Sequence, residues 1–544
     1  MRGARVTDEL TSAQPLVTAE QAFPAMEELV LEARERLDLA LHIFSPRTKT
    51  RSSAAHSRHI GDWGALIADA LRRGVRTRLL LNDFDPVGAP EMHAAVWERL
   101  RLLADAVKPL PHGARTHLTV LVAHPGGQSG MALRTLIWPV ARVKQARIVS
   151  QFRRKGRNLP PGLAGRADRI PRWPPRRNFT ATLHQKFLVA DKSLAIVGGL
   201  DIDERRYDDP DHNRSAPETW HDVSVGVAGG TASDLADHFD RCWNIVRAEG
   251  ASHAPTFVAM DPDCPLRFAA IEKRSVLRTG EPKPATPEKG MAVAATLPRP
   301  GRSPFRFGPV ADLCQLERAH LDLIARARRY VYLESQFFRS STIRDGLIAA
   351  LGRNRALHAM LLLPGAPDVI AYEGEKSGVQ RYGEWLQMRS LNRLTDLFGD
   401  RFAAYCITND RTREEEIERD ALYGKSMVYV HSKVAIADDD TAIVSSANLN
   451  GRSMRWDTEA GIVARDATFA ASLREALWRA HIGGDTPTPD PVDDPAGAFG
   501  HWRTIADARR IAGAEANGTG IVPFPLEKTR RFAKRHILIP QEMV

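Results

Sequence analysis

The sequence predicts an α/β fold made of two similar halves, each a set of βαβ units on a mainly parallel sheet, joined into one pseudo-twofold catalytic body. Three observations carry this. A constellation of histidine, lysine and aspartate occurs twice at matched offsets. Apolar runs of strand length alternate with amphipathic stretches of ten or more residues. The order of these elements ahead of the first constellation recurs ahead of the second.

Taken in order, residues 1–20 read as a loose leader, and residues 21–250 as the first half. Helical character over 27–36 leads into an apolar strand at 37–44, then a helix at 62–73 and a strand at 75–83 ending in a polar turn. A helix at 91–103 and a strand at 117–124 follow. Residues 151–180 hold nine Lys and Arg against Asp168 alone. This is either a solvated loop or a basic lip that attracts phosphate. The first constellation supplies two strands, 220–228 another, and an amphipathic helix at 231–249 closes the half.

Residues 251–305, rich in proline and charge, read as a connecting segment. The second half, 306–485, repeats the order: helix 316–328, strand 330–338, helix 342–351, a strand from 357, helix 380–397 and strand 402–408, then the second constellation. Residues 486–544 read as a Pro/Asp linker and a basic tail, which is either a solvated helix or a membrane-facing patch.

The constellations are His184-x-Lys186 with Asp191 (184–191) and His431-x-Lys433 with Asp438 (431–438). Seventeen residues beyond each histidine stand Asp201 and Asn448. Alternation around the second copy places His431 and Lys433 on one face of a strand. An imidazole beside an ammonium suits a phosphate, since the ring can attack or protonate while the lysine holds oxygens. Asn448, beyond the small turn Ser445-Ser446, offers an amide donor to the same oxygens.

With two H-x-K-x4-D motifs the sequence resembles the phospholipase D superfamily. VGGLDIDERRYDD (197–209), WHDVSV (220–225), YVYLESQFF (330–338) and SSANLNGRS (445–453) resemble segments of its phospholipid-cleaving, bacterial-type members. The likeness covers most of 180–250 and 320–480. It implies a phospholipase D that releases phosphatidate through a phosphohistidine and can pass the phosphatidyl group to an alcohol. It also leaves open a phosphatidyltransferase of the cardiolipin synthase type and a nuclease.

By the same resemblance His184 is the nucleophile and His431 the acid/base, with Lys186, Lys433 and Asn448 on the non-bridging oxygens. Asp222 is assigned to orient His184 and Glu459 to orient His431. Asp201, Gln336 and Ser446 are expected at the substrate. Asp191 and Asp438 belong to the catalytic signature, but seven residues past each histidine a structural role fits them better. Asp201 in place of an asparagine, as in phospholipid-cleaving members, weakens the idea of two matched amide donors, and Ser445 replaces a glycine of the usual turn. No cofactor and no metal are implied, and the acidic run 414–420 lacks calcium-loop spacing.

A net charge of +10 and a pI near 9.5 favour anionic partners, and a phospholipid surface is expected ahead of nucleic acid. Four widely spaced cysteines exclude a disulfide framework and a zinc ribbon. The first residues lack the apolar core of a signal peptide, and no run approaches the length of a membrane span. A cytoplasmic or peripheral membrane location is expected, and export by a signal-independent route is an analogy with phospholipase D-like effectors. Both motifs lie in one chain, so a monomer is expected.

Overall fold

A computed structural model describes residues 13–163, 177–274, 286–413, 419–482, 492–495 and 497–544. Two mixed sheets frame it. The first runs β1-β7-β6-β5-β2-β3-β4, from β1 (Gln14–Val17), β2 (Arg36–Leu41), β3 (Arg76–Asn82), β4 (Leu118–Ala123), β5 (Phe187–Ala190), β6 (Leu194–Gly198) and β7 (Val223–Ala228). The second takes β8 (Gly290–Arg299), β9 (Val310–Cys314), β10 (Tyr330–Glu334), β11 (His358–Leu362), β12 (Phe402–Thr412), β13 (Ala421–Leu422), β14 (Lys425–Val428), β15 (Val434–Ala437), β16 (Thr441–Ser445), β17 (Glu459–Arg465) and β18 (Gly520–Pro523). Its order is β13-β14-β12-β11-β10-β15-β16-β17-β8-β9, with β18 also on β12.

The path β7-β6-β5-β2-β3-β4 is thus matched by β17-β16-β15-β10-β11-β12. The repeat extends to register: Ala40 faces Phe187 and Glu334 faces Val434, each partner three residues past its motif histidine. Side chains of both sheets, among them Leu80, Val189, Val225, Tyr332, Ile436 and Ile462, share one buried cluster.

The α/β class and the two halves stand as the sequence predicts, but the sheets are mixed rather than mainly parallel. Only β2-β3-β4 and β10-β11-β12 run parallel. The reason is local. Parallel neighbours need helical crossovers, such as Trp63–Arg72, whose N-cap Asp62 accepts from Ala65 N at 2.8 Å. The motif strands instead return through tight hairpins, which join antiparallel neighbours.

Those hairpins give the motif aspartates their work. Asp191 and Lys192 have φ of 51° and 58°, Asp438 and Asp439 56° and 57°, the left-handed pair that a mirror-type turn requires. The Asp191 carboxylate accepts from Arg34, Glu35 and Arg36 N at 2.9, 2.9 and 2.8 Å. Asp438 does the same for Arg328, Arg329 and Tyr330 N at 2.6, 2.8 and 3.0 Å. Each clamps its turn to the start of the neighbouring strand. Asp191→Ala or Asp438→Ala should therefore cost about 1–2 kcal/mol of stability, the lower range because water reaches these groups. Thermal unfolding should fall accordingly while kcat of the folded protein stays within a few-fold.

Several segments differ from expectation. Residues 14–17 of the expected leader form β1 on β7, and a helix covers Thr18–Glu32, earlier than the expected 27–36. A four-residue strand is too short to give a periodicity signal. The expected connector 251–305 contains a helix, Ala254–Met260, and the ten-residue strand β8, whose Gly290–Thr296 pair with β17 and whose end pairs with β9. The tail is integral to the second half. Helix Ala498–Ala512 buries Trp502 against Tyr332, Tyr405 and Trp478 at ring separations of 5.6, 5.4 and 5.6 Å, and β18 pairs with β12. Phe499, Trp502 and Ala506 fall at i, i+3 and i+7 on one face of that helix, a pattern the sequence reading passed over beside the basic residues of the tail. The basic residues Arg166, Arg169, Arg172 and Arg176, the acidic run 414–418 and the linker 483–491 lie outside the described residues.

Candidate active site

Each motif histidine sits on extended backbone just ahead of its strand, and that backbone bonds to the opposite half. His184 N donates to Thr458 O and Thr458 N to Thr182 O, both at 3.0 Å. His431 N donates to His221 O at 2.8 Å and His221 N to Tyr429 O at 2.9 Å. These two exchanged bridges bring each histidine beside the carboxylate that follows the other motif. His184 Nδ1 donates to Glu459 Oε1 and Oε2 at 2.9 and 3.1 Å, and His431 Nδ1 to Asp222 Oδ2 at 2.7 Å. The expected pairs, Asp222 with His184 and Glu459 with His431, are therefore corrected: the carboxylates cross. Proximity in sequence favoured the pairing within each half, and the exchange of backbone bridges overrides it.

The two carboxylates are held differently. Ser446 Oγ donates to Glu459 Oε2 at 2.5 Å and accepts from Ala460 N at 3.1 Å, so Ser446 positions a carboxylate rather than substrate, contrary to expectation. At the matching place stands Gly199, where a Cβ would lie 2.2 Å from Asp222 Oδ1. The shorter aspartate needs this close backbone approach; the longer glutamate leaves room for a serine.

Lys186 Nζ donates to His184 O at 2.6 Å, and Lys433 Nζ to His431 O. Each lysine thus braces its own histidine and, with three donors, keeps N–H groups for an anion. Asp201 Oδ1 accepts from His42 and Ile43 N at 3.0 and 2.9 Å, and Oδ2 lies 3.7 Å from Lys186 Nζ. It fixes the end of β2 and the lysine, a structural role instead of the expected contact with substrate. Gln336 accepts from Asn448 Nδ2 at 3.2 Å and donates to Tyr429 OH at 2.7 Å, which leaves Asn448 a second amide hydrogen.

Sequence reasoning missed four neighbours. The His42 ring is 4.8 Å from that of His184, and its Nδ1 donates to Leu183 O at 2.9 Å. Register makes His42 the counterpart of Gln336: Phe44 bridges Ile202 as Phe338 bridges Leu449. The similarity of HIF to QFF was the available signal. The Trp220 ring lies 4.7 Å from His431 and carries the Arg206 guanidinium 3.6 Å above it. Arg206 and Arg452 contribute positive charge at His431 and His184 respectively, each again across the halves.

Burial opposes charge throughout the site. It holds His184 and His431 well below the usual imidazole range, with Lys186 and Lys433 as the next causes. It raises Asp222 against the pull of Lys433, and raises Glu459 to about 7 against that of Lys186. Lys433 is pushed down to about 7 despite Asp222. Lys186 and His184 act on His431, and Lys433 on His184, so the two motifs form one electrostatic unit that an anion would relieve.

Two groups of metal-ligand type occur among the described residues: Asp83 with His124 and His253, and His221 with Glu334 and His481. In the second, Glu334 accepts from His221 Nε2 at 3.0 Å, His481 Nε2 at 2.9 Å, Tyr332 OH at 2.6 Å and Ser432 Oγ, so its oxygens are already occupied. In the first, Asp83 accepts from His93 and His253 at 2.6 and 2.9 Å. Neither group includes a motif histidine.

Residues 320–480 match the family described as "Cardiolipin synthase, PLD-like domain". The chain is 23% identical to phospholipase D1 of Saccharomyces cerevisiae over 402 residues (57% of this chain, 23% of the relative). It is 24% identical to phospholipase D1 of Homo sapiens over 335 residues (54% and 30%). With phospholipase D zeta 2 of Arabidopsis thaliana it shares 21% over 465 residues (57% and 44%). The chain thus spans less than half the length of these relatives. A solved phosphatidylserine synthase from Haemophilus influenzae Rd KW20 aligns over 93% of this chain and 96% of its own, with a TM-score of 0.46 and 11% identity. The exchanged site brings two histidine–lysine pairs of an α/β body together, a set of groups suited to an anion. The family match over residues 320–480 and these relatives support a likeness of the chain to the phospholipase D superfamily.

Proposed function

We propose that the protein is a phospholipase D that cleaves the distal phosphodiester of membrane glycerophospholipids. The observation that carries this is the pair of imidazoles whose Nδ1 atoms each bind a buried carboxylate of the opposite half, which leaves Nε2 as the reacting atom of each ring, with each histidine in the field of the other motif's lysine. His184 Nε2 attacks phosphorus, and the bond to the headgroup oxygen breaks as that oxygen takes a proton from His431 Nε2, whose charged form the bound phosphate anion stabilises against the burial and cationic neighbours that disfavour it in the free site. His431, now neutral, removes a proton from water; the resulting oxygen attacks phosphorus, the P–N bond breaks, and phosphatidate leaves. Lys186, Lys433 and the second hydrogen of Asn448 stabilise the equatorial oxygens of the transition state. An alcohol in place of water yields a transphosphatidylated lipid.

The test is turnover on phosphatidylcholine vesicles with added ethanol, beside single-stranded DNA. Phosphatidate with phosphatidylethanol supports the reading; cleavage of DNA without lipid turnover replaces it. The match of residues 320–480 to a family named for cardiolipin synthase favours phosphatidyl transfer as the second reading. It predicts a clear preference for phosphatidylglycerol over water as acceptor.

The electrostatics support an expected pH profile. A further proton on the His184–Glu459 pair removes the nucleophilic lone pair, and Glu459 at about 7 places this loss on the acid side of neutrality. Lys433, also at about 7, loses its charge on the alkaline side. Plotted against pH, kcat/KM should be a narrow bell near neutrality. The alkaline limb of kcat should lie higher, because bound phosphate stabilises the ammonium. A kcat/KM level from mildly acidic to alkaline pH would sink this division of roles.

A further inference from the structure

Helix Met131–Arg154 follows β4 and was not foreseen in the sequence. Its inward seam is sparse: Trp138, Gln145, Ile148 and Phe152. Its outer face carries Leu136, Val140 and Val143, 77, 74 and 54% exposed, at the i, i+4, i+7 spacing of one row, which continues into Arg147 and Arg154. Exposed aliphatic side chains in a row have nothing to gain from water. The helix also holds six Lys and Arg and no Asp or Glu.

A loop extends this face. Gly130 N donates to Arg306 O at 2.8 Å and Ala132 N to Pro304 O at 3.0 Å, which sets Phe305, 72% exposed, beside the helix start. Arg134, Arg177 and Arg306 are close enough that the other two depress Arg134, after its partial burial. The place matters. The helix springs from the end of β4 at which the parallel neighbours β2 and β3 also end, and there His42 touches His184 and Asn82 Oδ1 accepts from Leu183 N at 2.8 Å.

We propose that this helix, with the Phe305 loop, is the surface by which the protein docks on an anionic phospholipid bilayer. The aliphatic row and Phe305 enter the acyl boundary, while Arg142, Lys144 and Arg147 meet the lipid phosphates. Such a helix lies in the interface plane. No helix among the described residues is long and apolar enough to cross a membrane, this one included. A nucleic acid would engage the basic side chains but leave the aliphatic row in water. The purpose of docking, delivery of lipid to the motifs, rests on the lipid-cleaving reading; the docking itself does not.

The test is co-sedimentation of the full chain with phosphatidylcholine vesicles containing about one third phosphatidylglycerol, and with phosphatidylcholine alone. The wild type should prefer the anionic vesicles, less so at high salt. Leu136→Ser/Val140→Ser/Val143→Ser should weaken binding about tenfold or more. Arg142→Gln/Lys144→Gln/Arg147→Gln should remove the preference for anionic lipid. Both triples should keep the wild-type thermal midpoint and wild-type turnover of a short-chain phospholipid dissolved as monomers.

A wild type that does not sediment with vesicles overturns the proposal, as does a serine triple that binds normally. So does a loss of binding produced only by Ile537→Ser/Leu538→Ser, the exposed apolar pair in the tail. Binding that depends on the helix without any lipid turnover would keep the docking surface and remove the lipase reading.

Discussion

His184→Asn should lower kcat on phosphatidylcholine by about 10⁴-fold or more, and His431→Asn by about 10²–10⁴-fold. The first change removes the atom that bonds to phosphorus; the second removes the proton donor and the base of the second step. Both variants should fold, because the asparagine amide still reaches Glu459 or Asp222 in place of Nδ1. A phosphodiester with a nitrophenol leaving group separates the two roles. Nitrophenolate departs without a proton, so His431→Asn should give a burst of one equivalent and then stall with the phosphoryl group on His184. His184→Asn should give no burst. A burst in His184→Asn and none in His431→Asn would exchange the nucleophile and the acid/base. Near wild-type kcat in either variant would remove the paired-imidazole mechanism altogether.

The repeat made the motif residues and the two-half plan legible in one sequence, because the same side chains stand at the same offsets from His184 and His431. The structural work of Asp191 and Asp438 was legible too, from their distance along the strand. What the sequence withheld depends on contacts between the halves. Glu459 lies 275 residues from His184 and Asp222 209 from His431, and no local pattern reports such a pairing. Ser446 and Asp201 were misjudged for a related reason. Their neighbours are Glu459 in one case and the backbone of β2 in the other, both brought in by folding. Helix Met131–Arg154 escaped notice because it is apolar on two faces, and a pattern split between core and surface has no single period.

The crossing of the carboxylates makes the second strong prediction. Glu459→Gln presents an amide N–H to His184 Nδ1, which moves the ring proton to Nε2 and occupies the lone pair needed for attack. Phosphoenzyme formation should fall by about 10²–10⁴-fold even with the nitrophenyl substrate. Asp222→Asn acts instead through His431, so the burst should survive and the slow step should become hydrolysis of the phosphohistidine. Double-variant cycles then read the geometry directly. Glu459→Gln added to His184→Asn should cost little more, since the group it positions is already gone, whereas Glu459→Gln added to His431→Asn should multiply the two losses. Pairing within each half would give the opposite pattern, with Asp222→Asn silent on His184→Asn. The two exchanged backbone bridges argue against that outcome, because each sets one histidine on the strand edge that carries the other half's carboxylate. Neither half then holds a working histidine alone, which ties catalysis to the joining of the halves.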